Sequence, residues 1–412
     1  MSFQQGLSGL NAAAKNLDVI GNNVANANTS GFKDGAAVFG DVFAASLGGG
    51  GGTQVGIGVQ ITGVNQQFTQ GNISLSNNPL DVAINGQGFY RLSDNGAITY
   101  TRNGGFSVDK NGYIVSSRGQ NLTGFQALNG AIVPGVLTNL QLSSSDLLPK
   151  ASTTAGIGAN LASTDAPIVP TILAPFDPAK PQTYNFSTAS TLYDTLGQAH
   201  TMTMYFNKMA SNSWDCRVYV DGKDADLPAG AGVPSTLTFD SQGVLSKVTP
   251  PTNTAKTAVL TNGAAPLTVT MDYSGMTQFG SGFGVNALSQ DGYASGQLSG
   301  YNIGSDGIIL GRYTNGQSQK LGQVALSNFV NPQGLSPLGD SMWAESSTSG
   351  IPLTGAPGTA SLGQVQSGAK EDSNVDLTAE LVNMITAQRV YQANAQSIKA
   401  QDAVLQTLVN LK

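Results

Sequence analysis

The chain has 412 residues and a formal net charge of -6, and charged residues make up 11% of it, where ordinary soluble domains carry about 25%. An acidic pI near 4.7 without clustered Lys and Arg excludes a phosphate-binding surface for nucleic acid. The single cysteine, Cys216, excludes an internal disulfide and any multi-thiolate zinc site. No run of about 18 apolar residues is present to cross a membrane as a helix.

From the N-terminus, residues Ser2–Ala27 place Phe3, Leu7, Leu10, Ala14, Leu17, Gly21 and Val24 in 4-3 alternation, the spacing of a coiled-coil seam. Ser2 and Gln5 are spaced as a capping box. Asn26, Asn28, Ser30 and Gly31 supply turn chemistry where the helix should end. No basic segment followed by an apolar core opens the chain, so an ordinary secretory signal is not expected, which alone would point to the cytoplasm. Residues 34–76 read as a linker. It contains five consecutive glycines, Gly48, Gly49, Gly50, Gly51 and Gly52, and a strand-like stretch Val55–Val64. The glycine run is followed by Thr53 and Gln54, not by the Lys-Ser/Thr of a phosphate loop, so it is expected to be a flexible connection.

Between Leu80 and Phe125 short strands alternate with Asn-Gly and Asp-x-x-Gly turns, and the same texture returns in Gly296–Phe329. The two stretches predict one discontinuous β domain, 77–145 with 289–370. The block 146–288 is inserted between its halves and opens with a Ser, Thr, Ala and Pro-rich connection, Ala151–Lys180. Alternating strands then follow at Thr183–Tyr193, Ala199–Phe206, Trp214–Val220, Thr236–Phe239, Val244–Val248 and Leu267–Tyr273. That block is expected to be a separate β-barrel or sandwich.

The stretch Asn374–Leu411 is free of Pro and Gly and carries a second seam: Leu377, Leu381, Met384, Tyr391, Ala395, Ile398, Leu405 and Val409, interrupted by Gln388 and Asp402. Ser373 or Asp376 can cap its first turn, and Glu380 complements the helix dipole there. Such a helix would be roughly 50 Å long, too long to be covered by a small domain. The predicted fold class is therefore mainly β with terminal α-helices, in which a discontinuous β domain carries an inserted one and the two terminal helices pair in coiled-coil fashion.

Candidate chemistry is sparse. His200, the one histidine, heads a strand with no neighbouring nucleophile, Cys216 lies in a strand between Trp214 and Arg217, and most Asp residues of the β regions sit in turns. No catalytic, metal-binding or cofactor-binding residue is singled out. A secreted β-rich adhesin would explain the strands but would not need matched terminal heptads, and an envelope-cutting enzyme would need a carboxylate pair for which no local signal exists.

Six segments carry a family resemblance. SGLNAAAKNLDVIGNNVANANTSGFK (8–33) closely resembles the start of the flagellar rod and hook proteins. NPLDVAINGQGFYRL and TYTRNGGFSVDKNGYIVSSRGQNLTGF are similar to their first β domain, and DGYASGQLSGYNIGSDGIILGRYTNGQ with LGQVALSNFVNPQGL is similar to its returning half. SNVDLTAELVNMITAQRVYQANAQSIKAQDAVLQTLVNL is similar to the family's C-terminal helix. Length and the inserted block favour the hook branch over the distal rod branch; the glycine run departs from the usual linker.

The resemblance implies a structural subunit, not an enzyme, without cofactors. Its paired helices would form the inner wall of a curved tube, the universal joint between rod and filament and an export channel. The implied partners are further copies of the chain, the distal rod protein, the hook cap protein, the hook-filament junction protein and the flagellar type III export apparatus. Export without a cleaved signal peptide and an extracellular location follow, with neither nucleic acid nor membrane insertion. The residues expected at subunit contacts are Leu7, Leu10, Leu17 and Val24 against Leu377, Leu381, Met384, Tyr391, Ile398 and Leu405, with Gly48–Gly52 as the compliant linker.

Overall fold

In the computed structural model of the chain, residues 2–42, 56–142, 146–171, 175–225, 233–251, 254–257 and 260–410 are described. The glycine run 48–52 lies outside them. Among the described residues two α-helices, α1 (Ser2–Ala25) and α2 (Leu377–Asn410), flank strands, turns and two single 3-10 turns. The chain divides into two compact units: one comprises 1–144, 300–312 and 318–412, the other 145–299 with 313–317.

The first unit holds both helices. Directly after α1, strands β1 (Gly35–Val42) and β2 (Gly58–Gln66) pair antiparallel, Gly35 with Gln66 and Val42 with Gly58. Part of the segment read as a linker is thus a two-stranded ladder, whose backbone N–H and C=O groups pair with each other. The unit's large mixed-order sheet wraps a core of Val82, Ile84, Tyr90, Leu92, Ile114 and Leu326, among others. The turns behave as their sequence demands. Asp109 Oδ1 accepts the amides of Asn111 and Tyr113 at 2.8 and 2.7 Å, and Gly112 takes φ +84°, so this carboxylate holds its own loop.

A second, aromatic cluster of Phe89, Tyr100, Phe329, Leu335 and Trp343 receives Phe68 from just beyond β2. Phe68 meets Phe89 and Trp343 edge-on, each at 5.4 Å between ring centroids, a favoured geometry for aromatic pairs. Trp343 Nε1 donates to Gln66 Oε1, so the open end of the hairpin is seated on the β core.

The second unit is built from two sheets around one core. One is antiparallel, running in order through Phe186–Tyr193, Ala199–Ala210, Ser213–Val220, Ser235–Phe239 and Leu245–Thr249. Its inward side chains Met202, Met204, Phe206, Trp214, Cys216 and Val218 are all buried, as period-2 alternation requires. The other sheet is arranged around Thr154–Ala162, which pairs in parallel with Thr268–Asp272 and Thr277–Phe279 and antiparallel with Gly284–Gln290.

That central strand falls inside the stretch expected to be a connection, Ala151–Lys180. It is buried on both faces, so it shows no polar alternation, and its glycines admit close neighbours: a Cβ at Gly156 would lie 2.7 Å from Ser289 Oγ. The segments by which the chain enters and leaves this unit run antiparallel, Leu147 beside Gly296 and Lys150 beside Tyr293. Asp291 ties them together, accepting the amides of Thr153 and Thr154 at 2.7 and 2.9 Å and pairing with Lys150 at 2.9 Å.

Candidate assembly surface

The two terminal helices pack antiparallel, and in the first half of α1 the residues facing α2 are small. A Cβ added to Gly6 would lie 3.1 Å from Ile398 Cγ1, and one added to Gly9 would lie 2.8 Å from Asn394 Oδ1. Further along α1, Ala13, Ile20 and Asn23 are buried, and Asn23 reaches Glu380 near the start of α2. The contact stripe is therefore Gly6, Gly9, Ala13, Ile20 and Asn23, one residue ahead of the leucine stripe. Small side chains let the helix axes approach closely, and a leucine at those positions would hold them apart.

The leucine stripe lies beside this contact. Leu7 is 44% exposed, and Leu10, Leu17 and Val24 are half-buried. On α2, Ala387 is buried and Met384 and Ile398 are half-buried, whereas Leu377, Leu381 and Leu405 are 45%, 46% and 54% exposed and Tyr391 is also exposed. Gln388 and Asp402 are exposed as well. With Gly6 opposite Ile398 and Asn23 opposite Glu380, the last turns of α2, including Leu405, extend past the start of α1. Val382, Ile385, Val390 and Val404 add to the uncovered apolar surface of the same helix, an arrangement that marks interaction sites in soluble chains.

Local chemistry sets the helix ends. Asp376 caps α2: its Oδ1 accepts the amides of Thr378 and Ala379 at 2.9 and 3.1 Å. Ser373 instead accepts from Val375. Gln5 does not turn back towards Ser2 as a capping box requires; its Nε2 donates to Gly56 O at 2.6 Å, because the hairpin runs alongside α1 and offers a free carbonyl. Asn23 fixes the other end of that hairpin, donating to Gly35 O at 2.8 Å and accepting Gly35 N at 3.0 Å. Asn374 mirrors it from the C-terminal side, accepting Asp34 N at 2.8 Å and donating to Gln67 O at 2.8 Å. A cleft of about 710 Å³ opens between α1, β1 and α2, lined by Ala13, Ile20, Ala37, Phe39, Ala387 and Val390 among others.

Beneath the helix bases lies an ionic cluster with no signature in the sequence. Lys33 and Glu371 are fully buried and pair at 2.6 Å, and Arg102 Nε stands 3.0 Å from the second oxygen of Glu371. That last approach is an ion pair whose angle falls short of a hydrogen bond. The surplus positive charge faces carbonyl oxygens: Lys33 donates to Thr69 at 2.7 Å, Arg102 to Gly86 and Gly88 at 2.9 and 2.7 Å. Burial lowers the Lys33 pKa despite the attraction of Glu371. Such a cluster is costly to break, because removing one member leaves an uncompensated buried charge. It joins the segment after α1, the β core and the segment before α2.

Comparisons with known proteins cover the whole chain. Residues 3–33 match a family of flagella basal body rod proteins. Residues 83–145 match the flagellar hook protein FlgE/F/G D1 domain. Residues 160–293 match the flagellar basal body protein FlaE D2 domain, and residues 366–411 the C-terminal part of the flagellar basal body rod FlgEFG proteins. The chain is 43% identical to the flagellar hook protein FlgE of Escherichia coli (strain K12), with both chains covered in full. It is 31% identical to that of Borreliella burgdorferi, over 100% of this chain and 99% of the relative. The crystal structure of Helicobacter pylori flagellar hook protein FlgE2 shares the fold at a TM-score of 0.50 and 15% identity, over 71% of this chain and 99% of that one.

Proposed function

The chain belongs to the flagellar hook protein family, and on that premise we propose that it is the subunit of the flagellar hook, polymerising into a curved tube that transmits torque from rod to filament. The observation that carries this reading is the run of uncovered apolar side chains along α2, Leu377, Leu381, Val382, Ile385, Val390 and Leu405, with Leu7 beside it on α1. Leu7, Leu10, Leu17 and Val24 on one helix and Leu377, Leu381, Met384, Tyr391, Ile398 and Leu405 on the other contribute contacts between neighbouring copies. The small-residue stripe holds the two helices together within a copy.

In this reading the subunit has three parts: an inner helical part (1–33 with 371–412), a discontinuous β domain (77–145 with 289–370) and an outer inserted domain (146–288). The tube's bore serves as an export channel, and the subunit itself leaves the cell through the flagellar type III apparatus without a cleaved signal. Its neighbours at the tube's ends are the distal rod protein, the hook cap protein and the hook-filament junction protein. Gly48–Gly52 serves as compliant linker, so Gly49→Pro with Gly51→Pro should stiffen or straighten the hook and reduce motility.

Electron microscopy of the purified chain tests the reading. Curved tubes are expected from the full chain, and monomers from a chain lacking 374–412. Tubes formed equally well by the truncated chain would exclude assembly through the terminal helices.

A further inference from the structure

At one end of the second unit the chain's one histidine sits between two carboxylates. His200 Nδ1 lies 2.6 Å from Asp221 Oδ2 and Nε2 lies 3.2 Å from Asp194 Oδ2. His200 and Asp194 are buried. Each carboxylate is held in place independently. Asp194 belongs to the turn after Phe186–Tyr193, and its Oδ1 accepts the amides of Leu196 and Gln198, both at 2.8 Å. Asp221, in the turn after Ser213–Val220, accepts the amide of Thr201 at 2.9 Å. Asn262 Nδ2, from the segment leading to Thr268–Asp272, donates to the same Asp194 oxygen that faces His200 and to Gln198 Oε1 at 2.9 Å. The cluster borders a polar cleft of about 290 Å³ whose walls include Lys223, Asp224, Thr257 and Thr261.

A neutral imidazole has one N–H and one lone pair. In this site the lone pair would face a fixed carboxylate oxygen whichever tautomer formed, and only the imidazolium donates on both sides. We propose that protonated His200 is a pH-released staple, holding together the turns at Asp194 and Asp221 and, through the shared Asp194 oxygen, the segment carrying Asn262.

On deprotonation the shorter bond, to Asp221, keeps the remaining proton on Nδ1. Nε2 then repels Asp194, and the end of the unit loosens along Asp194–Gln198 and Leu260–Leu267. The charged groups facing the site among the described residues are Asp194, Asp221, Lys223 and Asp224, with net charge favouring the cation. Burial alone would lower the His200 pKa, but the hydrogen bonds and charges of Asp221 and Asp194 outweigh it and hold the pKa above the ordinary 6.5. Burial would likewise raise both carboxylates, and their hydrogen bonds bring both below the ordinary 3.8.

The signs define the window. The contribution of His200 is full below its ordinary value and lost as pH climbs through the raised one. Those of Asp194 and Asp221 are present above their ordinary value and lost as pH falls through the lowered ones. The staple holds at weakly acid pH and opens as pH climbs through the raised His200 value.

Because there is a single histidine, nitrogen-15 spectroscopy of the histidine-labelled full-length chain reads this site directly. Both ring nitrogens should be protonated at pH 6, with a titration midpoint above 6.5 that moves down in Asp194→Asn and in Asp221→Asn but not in Asp240→Asn. The unfolding-temperature gap between the wild type and His200→Gln should be widest near pH 6 and close as pH passes the midpoint. A midpoint at or below 6.5, insensitivity to both carboxylate variants, or a gap that is constant with pH would each overturn the proposal.

Discussion

The second unit and the terminal helices treat the same kind of side chain in opposite ways. In the sandwich, Met202, Met204, Phe206, Trp214 and Leu237 are all buried and form one core between its two sheets. On α2, Leu381, Val382, Ile385 and Leu405 face outward, although their burial would be worth about 1.5–3 kcal/mol each. One region packs a large apolar core within the single chain; the other leaves a run of apolar side chains uncovered. Stability and assembly should therefore be separable by mutation.

The sharpest break is Leu381→Asp with Leu405→Asp. Polymerisation, read by sedimentation and microscopy, should be lost while the unfolding of the second unit stays unchanged; tubes from this variant would erase the contrast. Next comes Glu371→Gln, which strands Lys33 and Arg102 without a counter-charge. Chemical denaturation should show about 3–5 kcal/mol lost from the first unit, with the transition of the second unmoved. Met204→Ala is the converse, costing the sandwich about 3 kcal/mol through the cavity it leaves while the assembled tubes keep their form.

Smaller effects test the joints. Burial would raise the pKa of Asp291, but its bonds from Thr153, Thr154 and Lys150 prevail and hold it well below the ordinary carboxylate range. Asp291→Asn should therefore cost about 2 kcal/mol at neutral pH, and the difference from wild type should vanish as pH falls below the ordinary 3.8 through the lowered native value. Gly9→Ala is expected to change helix pairing least. The better helix propensity of alanine, about 1 kcal/mol, offsets the need for Asn394 to turn aside, so the net shift in thermal unfolding should stay within a few degrees. A large loss there would mean that Asn394 cannot give way.

Helices and alternating strands were legible in the sequence because their periodicity is local. Ser213–Val220 and Ala199–Ala210 announce themselves by burying every second residue. Thr154–Ala162 does not, since a strand buried on both faces and built of Gly and Ala has no alternation to display. The seam of α1 was visible, but the face that meets α2 was displaced by one residue, because large apolar residues mark a surface that wants covering without saying which chain covers it. Asn23, Asn374 and the Lys33–Arg102–Glu371 cluster were not legible at all. Their partners lie as far as 357 residues away, and lone polar residues beside turns look alike whether they end a loop or fasten a domain.

That separation bears on the order of events when the chain folds. Lys33 and Arg102 lie in the first quarter of the sequence, and their anion lies in the last tenth. A chain arriving from its N-terminus can pair its early strands, yet it carries two uncompensated charges into the closing core until residue 371 arrives. Long-range closure of this kind is slow. The base of the helices is thus closed by charges from both ends of the chain, and burying Lys33 and Arg102 there without Glu371 would leave two uncompensated cations.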